Sequence, residues 1–84
     1  LALIGKAIDE EGLRLLLSQS AVREARAFKF GRPGHWTVEI RLGGQAVRWI
    51  PIRSKREPVR TWGSLTAVGR FAENVGLMTF TVEL

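Results

Sequence analysis

"HWTVEIRL", residues 35–42, is the stretch from which the rest of the chain is read. Trp36, Val38, Ile40 and Leu42 alternate with His35, Thr37, Glu39 and Arg41. That period of two sends the first set to the core face of a β-strand and the second to its other face, whereas a helix would space its apolar positions three and four apart. Gly43 and Gly44 follow at once, and a glycine pair after a strand signals a tight hairpin turn into "QAVRWIPI", residues 45–52. Pro51 cannot donate a ladder hydrogen bond, which puts this third strand at an edge or on a bulge. Upstream, "GRPG" at 31–34 is a turn, because glycine permits positive φ and Pro33 fixes its own. Before that turn "AVREARAFKF", residues 21–30, alternates roughly, with Val22, Phe28 and Phe30 on one face and Ala25 and Ala27 on the other.

The outer segments read as helix. Leu1, Ile4 and Ile8 recur at helical spacing, and Leu13, Leu16 and Leu17 form a second apolar stripe. Gly12 lies between them, so a kink or two short helices is expected, with Asp9, Glu10 and Glu11 favoured at the N-terminal end of the second piece. "SQS" at 18–20 ends it. After the polar loop "RSKRE", closed by Pro58, "VRTW" reads as a short fourth strand. Ser64 is placed to N-cap "LTAVGRFAEN", whose Leu65, Val68, Ala72 and Val75 line one face, and Gly76 suits a left-handed C-terminal cap. "LMTFTVEL" alternates again, Met78, Phe80 and Val82 against Leu77, Thr79, Thr81 and Glu83. The expected fold is α+β: an N-terminal helix, a three- to four-stranded antiparallel sheet, one helix and a final strand, with the helices on one sheet face. The 84 residues, 1–84, form a single domain with one modest core.

Composition narrows the function. The chain has no cysteine, so disulfides and thiolate metal sites are excluded, and a reducing, cytoplasmic setting fits. It has no apolar run of about 18 residues to span a membrane. "LALIGKAI" lacks the basic lead and cleavage site of a signal peptide. The net charge is +5 and unevenly spread: residues 23–84 hold eleven basic against five acidic side chains, while residues 1–22 hold two against three. Ten of the 13 basic residues are arginine, whose planar fork suits phosphate.

Catalytic chemistry has little to work with. His35 is the one histidine and Asp9 the one aspartate, far apart in sequence, and neither a glycine-rich phosphate loop nor a nucleophile-elbow motif is present. No catalytic residue, metal, cofactor or small-molecule substrate is expected. The positive signal is "RWIPIRSKREPVRTW", residues 48–62. Arg48, Arg53, Lys55, Arg56 and Arg60, joined by Arg41 from the preceding strand, could converge on one exposed sheet face and its end. Such a sheet can enter a DNA groove or track a single strand through its phosphates. Trp36 and Trp62 are expected in the core; Trp49 competes with Ile50 and Ile52 for the buried face and is a candidate stacking or partner contact.

"VREARAFKF", "HWTVEIRLG" and "VRTWGSLTAVGRFAENVGLMTFTV" together resemble small ParC-type partition-associated proteins carried by conjugative plasmids and integrating elements. The likeness rests on Val22–Ala27, Trp36 in its alternating strand, and Arg60-Thr61-Trp62 leading through Ser64-Leu65 into a helix that stops at Gly76 before Phe80 and Val82. It implies a role in plasmid or mobile-element maintenance, acting on DNA or on a DNA-bound partition protein, and carries no catalytic residues. The sequence therefore leads to a non-enzymatic DNA-binding accessory protein. The alternative is an interaction or homodimerisation module in which Val47 and Trp49 mark the partner surface.

Overall fold

The computed structural model describes residues 7–44 and 48–84. The elements are α1 (Glu10–Ser18), β1 (Val22–Lys29), β2 (Trp36–Leu42), β3 (Trp49–Pro51), α2 (Leu65–Val75) and β4 (Thr81–Glu83). This is the α+β arrangement read from the sequence, with one correction. The sheet is mixed: its order is β3-β2-β1-β4, with β1–β2 and β2–β3 antiparallel but β4 parallel to β1. The reason is the helix. The segment ending at Trp62 pairs antiparallel to β2, and therefore runs with β1. Carried back by α2, the chain re-enters the sheet in that same direction, at the far edge, as a crossover connection requires.

β2 lies between β1 and β3 and behaves as its alternation demands. Val38 and Ile40 are essentially inaccessible and join Ala25, Ala27, Ile52, Leu13 and the buried face of α2 in one core. Both helices thus cover one sheet face. On β1 the small Ala25 and Ala27 point inward and let the helices approach, while Phe28 and Phe30 take the other face. Val22 leaves the expected Phe28 face and packs on the core, because a register irregularity between Val22 and Glu24 turns the strand. Thr37, expected on the outer face, is buried: the chain returns beside it and its hydroxyl donates to the Arg60 carbonyl at 2.8 Å. "VRTW" is no strand but a single bridge, with Trp36 and Trp62 exchanging two backbone hydrogen bonds of 2.8 Å. Trp62 is buried against Phe71, and Trp36 is half-buried at the core margin.

The third strand covers Trp49–Pro51, and Pro51 sits at the sheet edge as its missing donor requires. Residues 45–47 of the expected strand, Val47 among them, lie outside the described residues. So do Leu1 and Ile4 of the N-terminal stripe. Ile8 is not helical: its backbone brackets β3, its N–H donating to the Pro51 carbonyl and its carbonyl accepting from Arg53, both at 2.9 Å. A single helix then starts at Glu10. Asp9 caps it by accepting from the Gly12 N–H at 2.8 Å, so Gly12 lies in the first turn and no kink forms. α2 is capped as its sequence dictates, by Ser64 at the start and by Gly76 at φ 95° at the end. Arg14 clamps the two helices, donating to the backbone and side-chain oxygens of Asn74 at 2.9 and 2.7 Å while paired with Glu10.

Gly12 has a packing reason to be glycine. A Cβ there would stand 2.8 Å from Ile8 Cγ1, and Ile8 is pinned by its bonds to β3. Crowding of this kind costs about 1–3 kcal/mol, against the roughly 1 kcal/mol that alanine gains in a helix. Gly12→Ala is therefore expected to unfold at lower denaturant than the wild type. A variant more stable than the wild type would show that Ile8 yields freely.

Candidate nucleic-acid interface

The six arginines and lysines read as phosphate contacts separate into two groups. Arg41 pairs with Glu24 across the β1–β2 ladder, Arg53 lies 3.7 Å from Asp9, and Arg60 lies 3.4 Å from Glu10. Arg60 also stacks over Trp62 and Phe71, with its guanidinium carbon 4.8 Å from each ring centre, so it faces the helix side rather than the open sheet face. Each of the three lies against a carboxylate, and Glu10 serves Arg14 at 2.9 Å as well as Arg60. Glu10 shows the effect from the acid's side: the hydrogen bond from Arg14 holds its carboxyl below the ordinary 4.5, partial burial works against this, and Arg60 adds to the lowering. Arg48, Lys55 and Arg56 are exposed and form no ion pair with the described residues.

The open sheet face is not a positive platform. Register places Arg26 beside Glu39 and Arg41 beside Glu24, and Glu83 reaches Arg26 from β4. Two arginines thus meet three glutamates. The expected shared face of Arg41, Arg48 and Arg60 fails at Arg60, which turns toward the helices, while Arg41 is offset by its opposite-sign cross-strand neighbour Glu24. Trp49 does sit on this open face, half-buried. Arg26 lies over its ring at 3.9 Å from the centroid and Arg41 at 5.0 Å, so guanidinium groups already occupy it. Trp49 is no free stacking surface.

A different cluster forms at the end of the sheet where β2 begins. The loop after β3 closes on itself: the Ser54 N–H donates to the Glu57 carbonyl at 2.9 Å and the Glu57 N–H to the Ser54 hydroxyl at 3.1 Å. Lys55 and Arg56 form the exposed tip. Glu57, the acid in this loop, accepts from the Thr61 hydroxyl and N–H at 3.1 and 3.4 Å. Next to this loop stands the Gly31–Gly34 turn. Gly31 and Gly34 take φ values of 80° and 83°, conformations that glycine adopts without strain, and Arg32 projects exposed between them. The His35 N–H donates to the Arg32 carbonyl at 2.9 Å and closes the turn.

Between turn and loop lies a cleft of about 410 Å³. Phe30, Pro58 and Val59 supply its apolar lining, and Arg32, His35, Arg56 and Glu57 are its charged or titratable members. Arg48 is not part of it. It precedes β3 near the Arg41 end of β2, a strand length of roughly 20 Å away. Of the residues singled out in the sequence, Lys55 and Arg56 are therefore brought to this pole, and Arg41, Arg48, Arg53 and Arg60 are not. Arg32 and Phe30 were missed. The available signal was position: an arginine held between two glycines of a tight turn has little choice but to face water.

The chain matches no protein-family model, no curated protein and no solved structure. Among the described residues, no helix is long and apolar enough to cross a membrane.

Proposed function

We propose that this chain is a non-catalytic binding module that holds a nucleic-acid strand at the pole formed by the Gly31–Gly34 turn and the Ser54–Glu57 loop. One observation carries the reading. Arg32 and Arg56, from segments more than twenty residues apart, border a single cleft, where they and Lys55 outnumber the one acid in its lining, Glu57, which accepts hydrogen bonds from Thr61. Phosphates meet the guanidinium groups and the Lys55 ammonium, while the apolar lining receives less polar parts of the ligand. The resemblance to partition-associated proteins supplies the biological setting in this proposal: DNA, or a DNA-bound partition protein, during maintenance of a plasmid or integrating element in the cytoplasm.

The test is a titration of labelled single-stranded DNA at two salt concentrations. Three phosphate contacts give a log–log salt slope of about −2 on a single strand, with dissociation constants of about 10⁻⁴ to 10⁻⁶ M at physiological salt. Absent binding, or binding indifferent to salt, removes the proposal.

A second reading, an interaction or homodimerisation module, is favoured by the far edge of the sheet. All three residues of β4 are exposed, its outer side meets no further strand among the described residues, and Met78 ahead of it is 95% exposed. Self-association without DNA affinity in sedimentation would favour this reading over the first.

A further inference from the structure

We infer that the cleft at this pole captures an unpaired base, so that the ligand is single-stranded nucleic acid rather than duplex. The inference rests on the polyanion reading above and adds to it the part of the nucleotide that enters the cleft. Arginines alone would hold any phosphate chain, including a duplex backbone. What distinguishes this pole is the ring beside them.

Phe30 is the one exposed aromatic residue among the described residues, at 44% of its surface. Its ring is braced by Phe28, which meets it edge-on with centroids 6.5 Å apart, so it is held in place while part of it stays accessible. Of the other rings, Trp36 and Phe80 are half-buried against the core. Trp49 is covered by Arg26, and Trp62 is buried against Phe71. Pro58 and Val59 contribute further apolar surface to the cleft, which at about 410 Å³ accepts a planar ring system together with its sugar. Arg32 and Arg56 then stand where the flanking phosphates leave the cleft. In a duplex the bases are stacked and paired, and nothing but the backbone could reach this lining. A single strand offers each base freely, and stacking on an aromatic side chain is tolerant of sequence.

The experiment compares three labelled ligands on the wild-type protein at one salt concentration: an oligothymidylate of about ten nucleotides, an abasic strand of the same length and charge, and a duplex of the same length. The expected result is that the base-bearing strand binds about 5- to 150-fold more tightly than the abasic one, the range supplied by one base–aromatic stack. Phe30→Leu, which keeps an apolar side chain without the ring, should bring the two strands together while leaving salt-dependent binding to both. Equal binding of abasic and base-bearing strands overturns base capture and leaves the polyanion reading standing. Duplex binding as tight as single-strand binding also overturns it. Failure of all three ligands overturns both readings at once. The comparison between ligands needs no variant, so a folding defect in Phe30→Leu would not obscure it.

Discussion

An Arg32→Glu, Arg56→Glu variant is expected to lose measurable affinity for single-stranded DNA at micromolar concentrations and to melt close to the wild type. Both side chains are exposed and form no ion pair with the described residues, so the fold has little invested in them. Exposed substitutions of this kind usually change stability by no more than about 0.5 kcal/mol. Binding is another matter. Each neutralised phosphate contributes about 0.7 to the salt slope of a single strand, so losing two flattens it by about 1.4, and the new carboxylates repel what the guanidinium groups attracted. The companion variants sharpen the result. Arg41→Ala and Arg60→Ala remove cations already paired with Glu24 and Glu10, and should alter affinity far less than Arg56→Ala. Should Arg41→Ala prove as damaging to binding as Arg56→Ala, the ligand lies across the open sheet face and the pole is the wrong place.

The largest effect on stability is expected at Leu13. It is 0% exposed and is the buried residue of α1, inserted among Ala25, Ile40, Val68 and the other core side chains. Truncating such a leucine removes its transfer free energy and leaves a cavity, together about 2–5 kcal/mol. A domain of this size has about 5–15 kcal/mol in all and stands toward the lower end, so the loss takes a large share of it. Each kcal/mol moves the melting temperature of a domain this long by about 4–8 °C, and Leu13→Ala should therefore melt about 8–40 °C lower. Leu15 is the internal control. Two positions further along the same helix it is 58% exposed, and Leu15→Ala should stay within about 0.5 kcal/mol of the wild type. Equal losses at the two positions would mean that α1 does not dock through the face seen here.

The local elements were legible because each is written in a few adjacent residues. Alternation from Trp36 to Leu42 specifies a strand without knowledge of its neighbours, and Ser64 and Gly76 mark the ends of α2 by capping chemistry that is local by nature. The direction of β4 was not legible, since nothing between Thr81 and Glu83 encodes which strand it joins or which way it runs; that depends on α2 crossing the sheet. The arginines were misjudged for a related reason. Whether Arg41 is available depends on its facing Glu24, seventeen positions earlier, and that pairing is set by the register of the whole β1–β2 ladder. The same holds for Arg26 and Glu39. The pole combines both cases: Lys55 and Arg56 were visible as a basic loop, but the meeting of that loop with Arg32 and Phe30 is a tertiary event.

Arg26 has a wider consequence than its ion pairs. From the middle of β1 it reaches Glu39 on β2, Trp49 on β3 and Glu83 on β4. The two outer strands are three residues each, at the short end of the usual range, so they have few ladder bonds. One guanidinium thus works as a tie-bar across the full width of the sheet, joining two margins that two strands separate.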